Sequence, residues 1–255
     1  GTLSSTQAVT VSVTDVAPAI SSGAVGSVTE GAAAGTTVYT AVASDVAGGT
    51  VSYSLSGTDA GSFSINSSTG VVTISAIPNY EAKSSYSINV VASDGTLTST
   101  KAVTVSVADV APAISSGAVG SVTEGAAAGT TVYTAVASDV AGGTVSYSLS
   151  GTDAGSFSIN SSTGVVTINA IPDYEAKSSY SIDVVASDGT LTSTQAVTVS
   201  VADVALAISS GAAGSVAEGA AAGTTVYTAA ASDVAGGAVS YSLSGTDAGS
   251  FSINS

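Results

Sequence analysis

The stretch Phe63-Ser64-Ile65-Asn66-Ser67-Ser68-Thr69-Gly70-Val71-Val72-Thr73-Ile74 predicts two short β-strands joined by a turn. Phe63 and Ile65 alternate with serine, so both side chains point to one face of a strand. Ser68-Thr69-Gly70 has the composition of a turn, and the β-branched run after it predicts the next strand. The same twelve residues return at 157–168, so the chain repeats this strand pair.

Alternation of apolar and polar residues continues on both sides of the pair. It predicts further strands at 36–43, 50–56, 86–92 and 102–107, and a short one between Ile20 and Val28. Gly48-Gly49 and Asp94-Gly95 are hairpin signals. No window has apolar residues at helical spacing. About seven short strands with a period of two predict an antiparallel β-sandwich.

The predicted core of this sandwich is small and consists largely of valine. Its single phenylalanine per repeat implies that each module is only modestly stable alone. The residues predicted to point inward are Val38, Val42, Tyr53, Leu55, Phe63, Ile65, Val72, Ile74, Tyr86, Ile88, Val90, Val103, Val105 and Val107.

A period of 94 residues organises the whole chain. Asp15-Val16-Ala17-Pro18 recurs as Asp109-Val110-Ala111-Pro112, and Asp203-Val204-Ala205-Leu206 follows at the same spacing. This period is too long for solenoid units of ~20–50 residues and predicts an extended array of tandem β domains. We expect the chain to be a window from a longer array, with its segments at 1–15 (the C-terminal strand of a preceding repeat), 16–109, 110–203 and 204–255 (the front of a further repeat).

Composition excludes most kinds of catalytic and metal chemistry. The 255 residues include no His and no Cys, which excludes zinc fingers, disulfides and Ser-His-Asp or Cys-His catalysis. Only 3 Lys+Arg stand against 18 Asp+Glu, so no basic surface for nucleic acid is expected. No apolar run reaches the ~18 residues of a membrane-spanning helix. We expect no enzyme, and only hard oxygen ligands remain for a metal, which suit calcium.

The acidic residues fall at strand ends and in loops. Because alternate strand ends lie at opposite poles of a sandwich, Glu30, Glu81 and Asp109 are predicted at one pole of their repeat. Asp139 and Asp188 are predicted at the facing pole of the next repeat, across a short linker. Carboxylates gathered in this way repel one another. A divalent cation with 6–8 oxygen ligands removes the repulsion, and Ca²⁺ tolerates irregular geometry.

The order of motifs resembles that of cadherin repeats, of the bacterial cadherin-like type. The motifs in the first repeat are Val28-Thr29-Glu30, Ala43-Ser44-Asp45-Val46-Ala47, Tyr53-Ser54-Leu55, Phe63-Ser64-Ile65-Asn66-Ser67-Ser68-Thr69-Gly70, Asn79-Tyr80-Glu81, Ala92-Ser93-Asp94-Gly95 and Ser106-Val107-Ala108-Asp109-Val110-Ala111-Pro112. The resemblance implies tandem seven-stranded Greek-key sandwiches with Ca²⁺ at their junctions. It also implies an extracellular bacterial surface protein that serves in adhesion.

The chain departs from the family pattern at several ligand positions. Ala47 and Ala141 replace a second aspartate, and Ser106 and Ala108 replace linker ligands, so one or two weaker calcium ions per junction are expected instead of three. Asp173 with Glu175 restores the family's acidic pair, although Leu206 replaces the linker proline there. The predicted ligands are Glu30, Asn79, Glu81, Asp109, Asp139 and Asp188, then Glu124, Asp173, Glu175, Asp203 and Asp233, and Asp15, Asp45 and Asp94 for a preceding junction.

Other readings remain open for several residues and for the function. Asp59 is predicted to be a turn residue, and Lys83 and Lys177 are predicted to be surface charges. The main functional prediction is a calcium-rigidified stalk whose partners are the neighbouring repeats. The alternatives are a self-associating subunit of a filament or matrix, through homophilic contacts, and a module that binds surface glycans. For glycan binding each repeat offers few aromatic side chains, namely Tyr39, Tyr53, Tyr80 and Tyr86.

Overall fold

The computed structural model describes residues 1–254 and divides into two compact units. Unit 1 comprises Gly1–Val110 together with the short segment Asp139–Gly143. Unit 2 comprises Ala111–Ser138 and the residues from Thr144 onward. No helix among the described residues is long and apolar enough to cross a membrane.

Unit 1 is built almost entirely of strands. They are β1 (Ala19–Ile20), β2 (Val25–Thr29), β3 (Thr37–Thr40), β4 (Ala43–Ser44), β5 (Ser52–Ser56), β6 (Phe63–Ile65), β7 (Val71–Ile74), β8 (Ser85–Ser93) and β9 (Thr98–Ala108). A single 3-10 turn at Ala60–Ser62 precedes β6. The strand pair predicted for residues 63–74 is β6 and β7, paired antiparallel with Phe63 opposite Ile74.

Two sheets form the sandwich of unit 1. The four-stranded sheet has the order β2-β9-β8-β5, and the three-stranded sheet has the order β3-β7-β6, with β1 and β4 forming a separate short pair. The valine and isoleucine side chains of both sheets meet in one core that includes Val72, Val90 and Val105, each fully buried. The predicted all-β sandwich is confirmed. The sheet is not antiparallel throughout, however, because edge strand β2 runs parallel to β9.

The core contains most of the residues predicted to point inward. Val42 was predicted wrongly, because its side chain points outward. Val42 is 53% exposed, whereas Val38, Tyr39 and Ala41 are buried. The pairing of β3 with β7 slips between Thr37 and Tyr39. An extra residue in a strand reverses which side chains point inward after it. The alternation therefore restarts at Tyr39, and Val42 faces outward.

The two hairpin signals have different outcomes. Asp94-Gly95 lies in the turn between β8 and β9, where Gly95 has a φ of +105°. Gly48-Gly49 was wrongly predicted to join a hairpin, since β4 pairs with β1 and β5 pairs with β8. Gly48 instead closes a tight turn after Asp45, donating to its carbonyl oxygen at 3.1 Å.

Unit 2 repeats the architecture of unit 1, with matching registers in both sheets. Its strands are β10 (Ala113–Ile114), β11 (Val119–Thr123), β12 (Thr131–Thr134), β13 (Ala137–Ser138), β14 (Ser146–Ser150), β15 (Phe157–Ile159), β16 (Val165–Ile168), β17 (Ser179–Ser187), β18 (Thr192–Ala202), β19 (Ala207–Ile208) and β20 (Ala231–Ser232), with 3-10 turns at Ala154–Ser156 and Ala248–Ser250.

The outer segments of the chain form few strands. The structure has no strand in residues 1–18, although the sequence predicted one in 1–15, and Val9, Val11 and Val13 are exposed there. A strand forms only with a partner that accepts its backbone hydrogen bonds, and no strand among the described residues pairs with this segment. Residues 204–254 form only the β19–β20 pair, since they contain no equivalent of the long strands β8 and β9.

Candidate metal centres

Glu30 is the buried centre of the acidic cluster in unit 1. It follows β2 and is 3% exposed. Its carboxylate accepts two backbone hydrogen bonds, from Tyr80 N to Oε2 at 3.0 Å and from Val110 N to Oε1 at 2.8 Å. One side chain thereby joins the loop before β8 to the segment after β9. Two N–H donors give both oxygens of this buried carboxylate a hydrogen-bond partner.

Glu81 is positioned by the turn that begins at Asn79. The Oδ1 atom of Asn79 accepts from Ala82 N at 2.7 Å, and its carbonyl oxygen accepts from Lys83 N at 3.0 Å. Gly31 N donates to Pro78 O at 2.9 Å, which brings the turn beside Glu30. The turn thus holds the more exposed Glu81 above the buried Glu30.

Asp139 completes the cluster and has an oxygen without a partner. It is 8% exposed, and its Oδ1 atom accepts from Ala141 N at 2.8 Å and from Gly143 N at 3.3 Å. Its Oδ2 atom is buried without a hydrogen bond among the described residues. One oxygen each from Glu30, Glu81 and Asp139 lie within 4.8 Å of one another. An unsatisfied buried carboxylate oxygen is costly unless a cation or proton joins it.

The pKa of Glu81 responds to desolvation and to the neighbouring carboxylates. Desolvation, and then the negative charges of Glu30, Asp139 and Asp109, raise the pKa of Glu81 above its ordinary value of 4.5. Asp109 therefore belongs to the same electrostatic group. A bound cation would relieve this repulsion.

Unit 2 contains the corresponding cluster. Glu124 is 2% exposed and accepts from Tyr174 N at 3.1 Å and from Val204 N at 2.5 Å. Oxygens of Glu124, Glu175 and Asp203 lie within 4.8 Å of one another. Although its own backbone N–H favours the charged form, desolvation and the charges of Glu124, Asp233 and Asp203 raise the pKa of Glu175.

Two more predicted ligands of unit 2 border this cluster. Asp233 accepts from Gly237 N at 2.8 Å, as part of a loop like that of Asp139. Asp173 accepts from Ala176 N at 2.9 Å, which is the bond that Asn79 makes in unit 1. Both side chains are therefore oriented by backbone donors near the acidic group.

The remaining predicted ligands lie in two tight turns and a loop. Asp94 accepts from Leu97 N and Thr96 N, each at 2.8 Å, and these bonds lower its pKa. The hydroxyl of Thr96 also bonds to Asp15. Asp45 accepts from Ala47 N at 2.7 Å. The structure joins Asp15 to the turn of Asp94 through that hydroxyl.

Asp188 occupies in unit 2 the turn position of Asp94. It is held by Thr190 N at 2.8 Å and Leu191 N at 2.7 Å, and these bonds outweigh desolvation and lower its pKa. The Oδ2 atoms of Asp94 and Asp188 are both buried without a hydrogen bond in the described part of the chain. Each could therefore offer one oxygen to a cation.

The donor set fits a hard cation. Each cluster offers carboxylate oxygens and neither contains nitrogen or sulfur ligands, which suits Ca²⁺ better than zinc or copper. In unit 1 the buried Oδ2 of Asp139 is an acceptor in need of a partner. Glu30, Glu81, Asp109 and Asp139 would hold the ion there, and Glu124, Glu175, Asp203 and Asp233 would hold it in unit 2.

Asp59 and Lys83 form an ion pair that the sequence pattern did not predict. Lys83 Nζ lies 2.5 Å from Asp59 Oδ1, and Ser87 N donates to Asp59 Oδ2 at 2.8 Å. The lysine also lies over the ring of Tyr86, 4.8 Å from its centroid. The Lys83 ion pair, with the Ser87 bond, lowers the pKa of Asp59. The spacing of 24 residues gave no local signal for this pair.

Comparison with known proteins indicates a single family. A family model of the cadherin domain matches residues 24–108 and 118–202. Human protocadherin Fat 4 is 36% identical over an alignment of 147 residues, which covers 53% of this chain and 3% of that protein. The chain thus spans a very small part of this relative's length.

Solved structures give a weaker likeness. Mouse cadherin-23 EC22-24 is 28% identical, with a TM-score of 0.39 over 74% of this chain and 65% of that chain. Human protocadherin-24 EC1-2 is 22% identical, with a TM-score of 0.42 over 74% of this chain and 100% of that chain.

Proposed function

The chain belongs to the cadherin family, whose extracellular tandem repeats are typical of adhesion proteins and not of enzymes, and we propose that it is a calcium-rigidified stalk segment of a surface adhesin. On this proposal the repeats 16–109 and 110–203 are its modules, and Ca²⁺ at each acidic cluster limits bending between consecutive repeats. We place the adhesin on a bacterial surface, as the motif pattern suggested.

The observation that carries the proposal is the buried carboxylate oxygen of Asp139 that has no hydrogen bond. A carboxylate 8% exposed, with one oxygen buried and unbonded, lies beside two further carboxylates within 4.8 Å. Without a cation this arrangement combines like-charge repulsion with an unsatisfied acceptor. Calcium would supply the missing positive charge and would take the free oxygen as a ligand.

The energetic role of calcium follows from linkage. An ion that binds only the ordered cluster stabilises it by RT ln(1 + [L]/Kd). Extracellular calcium modules have Kd values of about 10⁻⁴–10⁻³ M, so they fill only where calcium is abundant. Fewer carboxylates than in typical family sites, with Ala141 at one ligand position, place this chain toward the weak end of that range.

The glycan-binding alternative has little support in unit 1. Tyr39 lies in the hydrophobic core, and Tyr53, Tyr80 and Tyr86 pack against it. Aromatic rings that bind sugars must present a face to solvent. Self-association remains the second candidate, because the outward residues of β9, Thr98, Thr100 and Thr104, form an exposed, uncharged row.

Calorimetric titration of the full chain with Ca²⁺ tests the proposal. We expect the wild-type chain to bind Ca²⁺ in the millimolar range. E81Q should remove about half of the sites, and the double variant E81Q/E175Q should remove nearly all of the calcium binding. The matched control is D183N, which also removes one negative charge and restores the residue found at Asn89 in the other repeat. Absence of binding in the wild-type chain, or equal binding in E81Q/E175Q, would overturn the proposal.

A further inference from the structure

The loop Asp139–Gly143, called here the Asp139 loop, contacts the first repeat through an apolar side chain. The Cγ2 atom of Val140 lies 2.7 Å from the place that a Cβ on Gly31 would take. Gly31 has a φ of +71° and donates to Pro78 O at 2.9 Å. The bare backbone of this glycine therefore forms the surface on which the valine rests.

A hydrogen bond reinforces this contact. Asn79 Nδ2 donates to Ala141 O at 3.4 Å, a long bond in a partly buried place. The orientation of the amide is determined by its other end, because Oδ1 accepts from Ala82 N at 2.7 Å. Ala141 occupies the position where the cadherin pattern has a second acidic ligand. A hydrogen bond within the chain thus ends at a residue whose side chain has no ligand atom.

The chain contains an internal comparison for the apolar contact. The same Ser-Asp-Val-Ala-Gly-Gly loop occurs three times, with its valine at 46, 140 and 234. Val46 is 82% exposed, whereas Val140 is 59% exposed and Val234 is 56% exposed, the last packing on Gly125. The contact with glycine accounts for the added burial of the second and third copies.

The hydrogen bond differs between the two clusters. The residue equivalent to Asn79 is Asp173, whose Oδ1 atom accepts from Ala176 N as before. A carboxylate has no N–H group, so its second oxygen cannot donate to the carbonyl of Ala235. Nearby, Tyr174 is 37% exposed, whereas its counterpart Tyr80 packs against the core of unit 1. Unit 2 therefore keeps the valine contact, loses the amide bond and gains a negative charge.

We propose that Val140 on Gly31 and the Asn79–Ala141 bond fasten the Asp139 loop beside Glu30 before any cation binds, and that Asp173 exchanges this bond for an additional carboxylate in unit 2. Asn79 is a positioning residue whose amide orders the loop without metal. The first part stands on these contacts alone, and the second part rests on the proposed function. A preordered loop loses less conformational freedom when the ion binds, while an added carboxylate strengthens the attraction for it.

Hydrogen exchange on the full chain in EGTA tests the metal-free fastening. The reporters are the amides of residues 141–143. Those of 47–49, next to the 82% exposed Val46, are the unfastened reference, and those of 235–237, which keep the valine contact without the amide bond, are the intermediate case. We expect N79D and V140A each to lower protection at 141–143 about 3- to 10-fold, as for one lost weak contact. D173N should raise protection at 235–237 by a similar factor. V46A is the matched control and should leave protection at 47–49 unchanged.

Calcium titration of the same variants tests the second part. N79D should tighten binding at the cluster of unit 1 in spite of its looser loop, and D173N should weaken binding in unit 2. Protection of the β8 amides Ile88 and Val90 verifies that each variant is folded. Equal protection at 141–143 in wild type, N79D and V140A would overturn the fastening. If the wild type binds no calcium, the proposed function fails, while the EGTA result still decides the fastening.

Discussion

Glu30 shows how one buried carboxylate can hold distant segments of a fold together. Its two oxygens hold Tyr80 N and Val110 N, which are 50 and 80 residues away in sequence. The same residue type at Glu218, in the last copy of the repeat, is exposed. The chain therefore contains its own control for what burial adds to this glutamate.

We expect E30A to destabilise unit 1 in EGTA by about 2–5 kcal/mol, because it leaves the N–H groups of Tyr80 and Val110 without their acceptor. E218A should change stability by less than about 0.5 kcal/mol. Urea unfolding of the full chain, followed by circular dichroism, measures both. A loss of under about 1 kcal/mol in E30A would show that water replaces these bonds easily.

The raised pKa of Glu81 predicts that the stability of the calcium-free fold falls as pH rises. Its folded pKa is raised above 4.5, so folded Glu81 binds its proton more tightly than unfolded Glu81 does. Its contribution to the calcium-free fold is therefore present below pH 4.5 and is lost as pH rises through the raised pKa. In EGTA, E81Q should flatten this fall in stability, and in wild type calcium should bind more weakly in acid than at neutral pH.

Asp59 predicts the opposite dependence of stability on pH in the same molecule. Its ion pair with Lys83 lowers its pKa below 3.8, so its contribution is present above that pH and is lost as pH falls through the folded pKa. D59N should therefore reduce the acid sensitivity below pH 3.8, where E81Q has no such effect. Urea midpoints measured from pH 3 to 7 for the three proteins separate the two groups.

Among the elements, the irregular strand β3 decides which valines form the core. The slip between Thr37 and Tyr39 places two consecutive side chains, Val38 and Tyr39, in the interior. The side chain of Val42 then faces solvent. Its backbone carbonyl oxygen accepts a hydrogen bond from Ser21 N at 2.9 Å. In β8, where the register is regular, alternate residues Ile88, Val90 and Ala92 are all fully buried.

This contrast predicts unequal costs for two substitutions of β-branched residues. I88A removes a fully buried side chain and should cost about 2–5 kcal/mol. V42T replaces a half-exposed side chain that the alternation had placed in the core, and should change stability by less than about 0.5 kcal/mol. Thermal and urea unfolding of the full chain measure the difference. A cost above about 1 kcal/mol for V42T would contradict the outward orientation.

For the whole molecule, the proposed stalk and the filament alternative differ in mass. If calcium limits bending between repeats, X-ray scattering should show a larger maximum dimension with Ca²⁺ than with EGTA, at constant molecular mass. The double variant E81Q/E175Q should remain in its EGTA form in both conditions. A calcium-dependent rise in mass would instead favour the self-associating subunit.

The sequence alone determined the all-β class, the period of 94 residues and the loops that carry the acids. Each of these features can be seen in a short stretch of sequence or in its repetition. Alternation shows which way side chains point within one strand, and a repeat is visible by comparing the sequence with itself. Glu30, Glu81 and Asp139 could be named in advance, since strand ends in a sandwich fall at predictable poles.

Only the tertiary structure decided the phase of Val42, the parallel pairing of β2, the buried bonds of Glu30 and the contact of Asn79 with Ala141. A bulge depends on the partner strand, and the three hydrogen bonds join residues 50, 80 and 62 positions apart. Their energies arise from burial and from the meeting of distant groups. No pattern within a single strand or loop encodes these contacts.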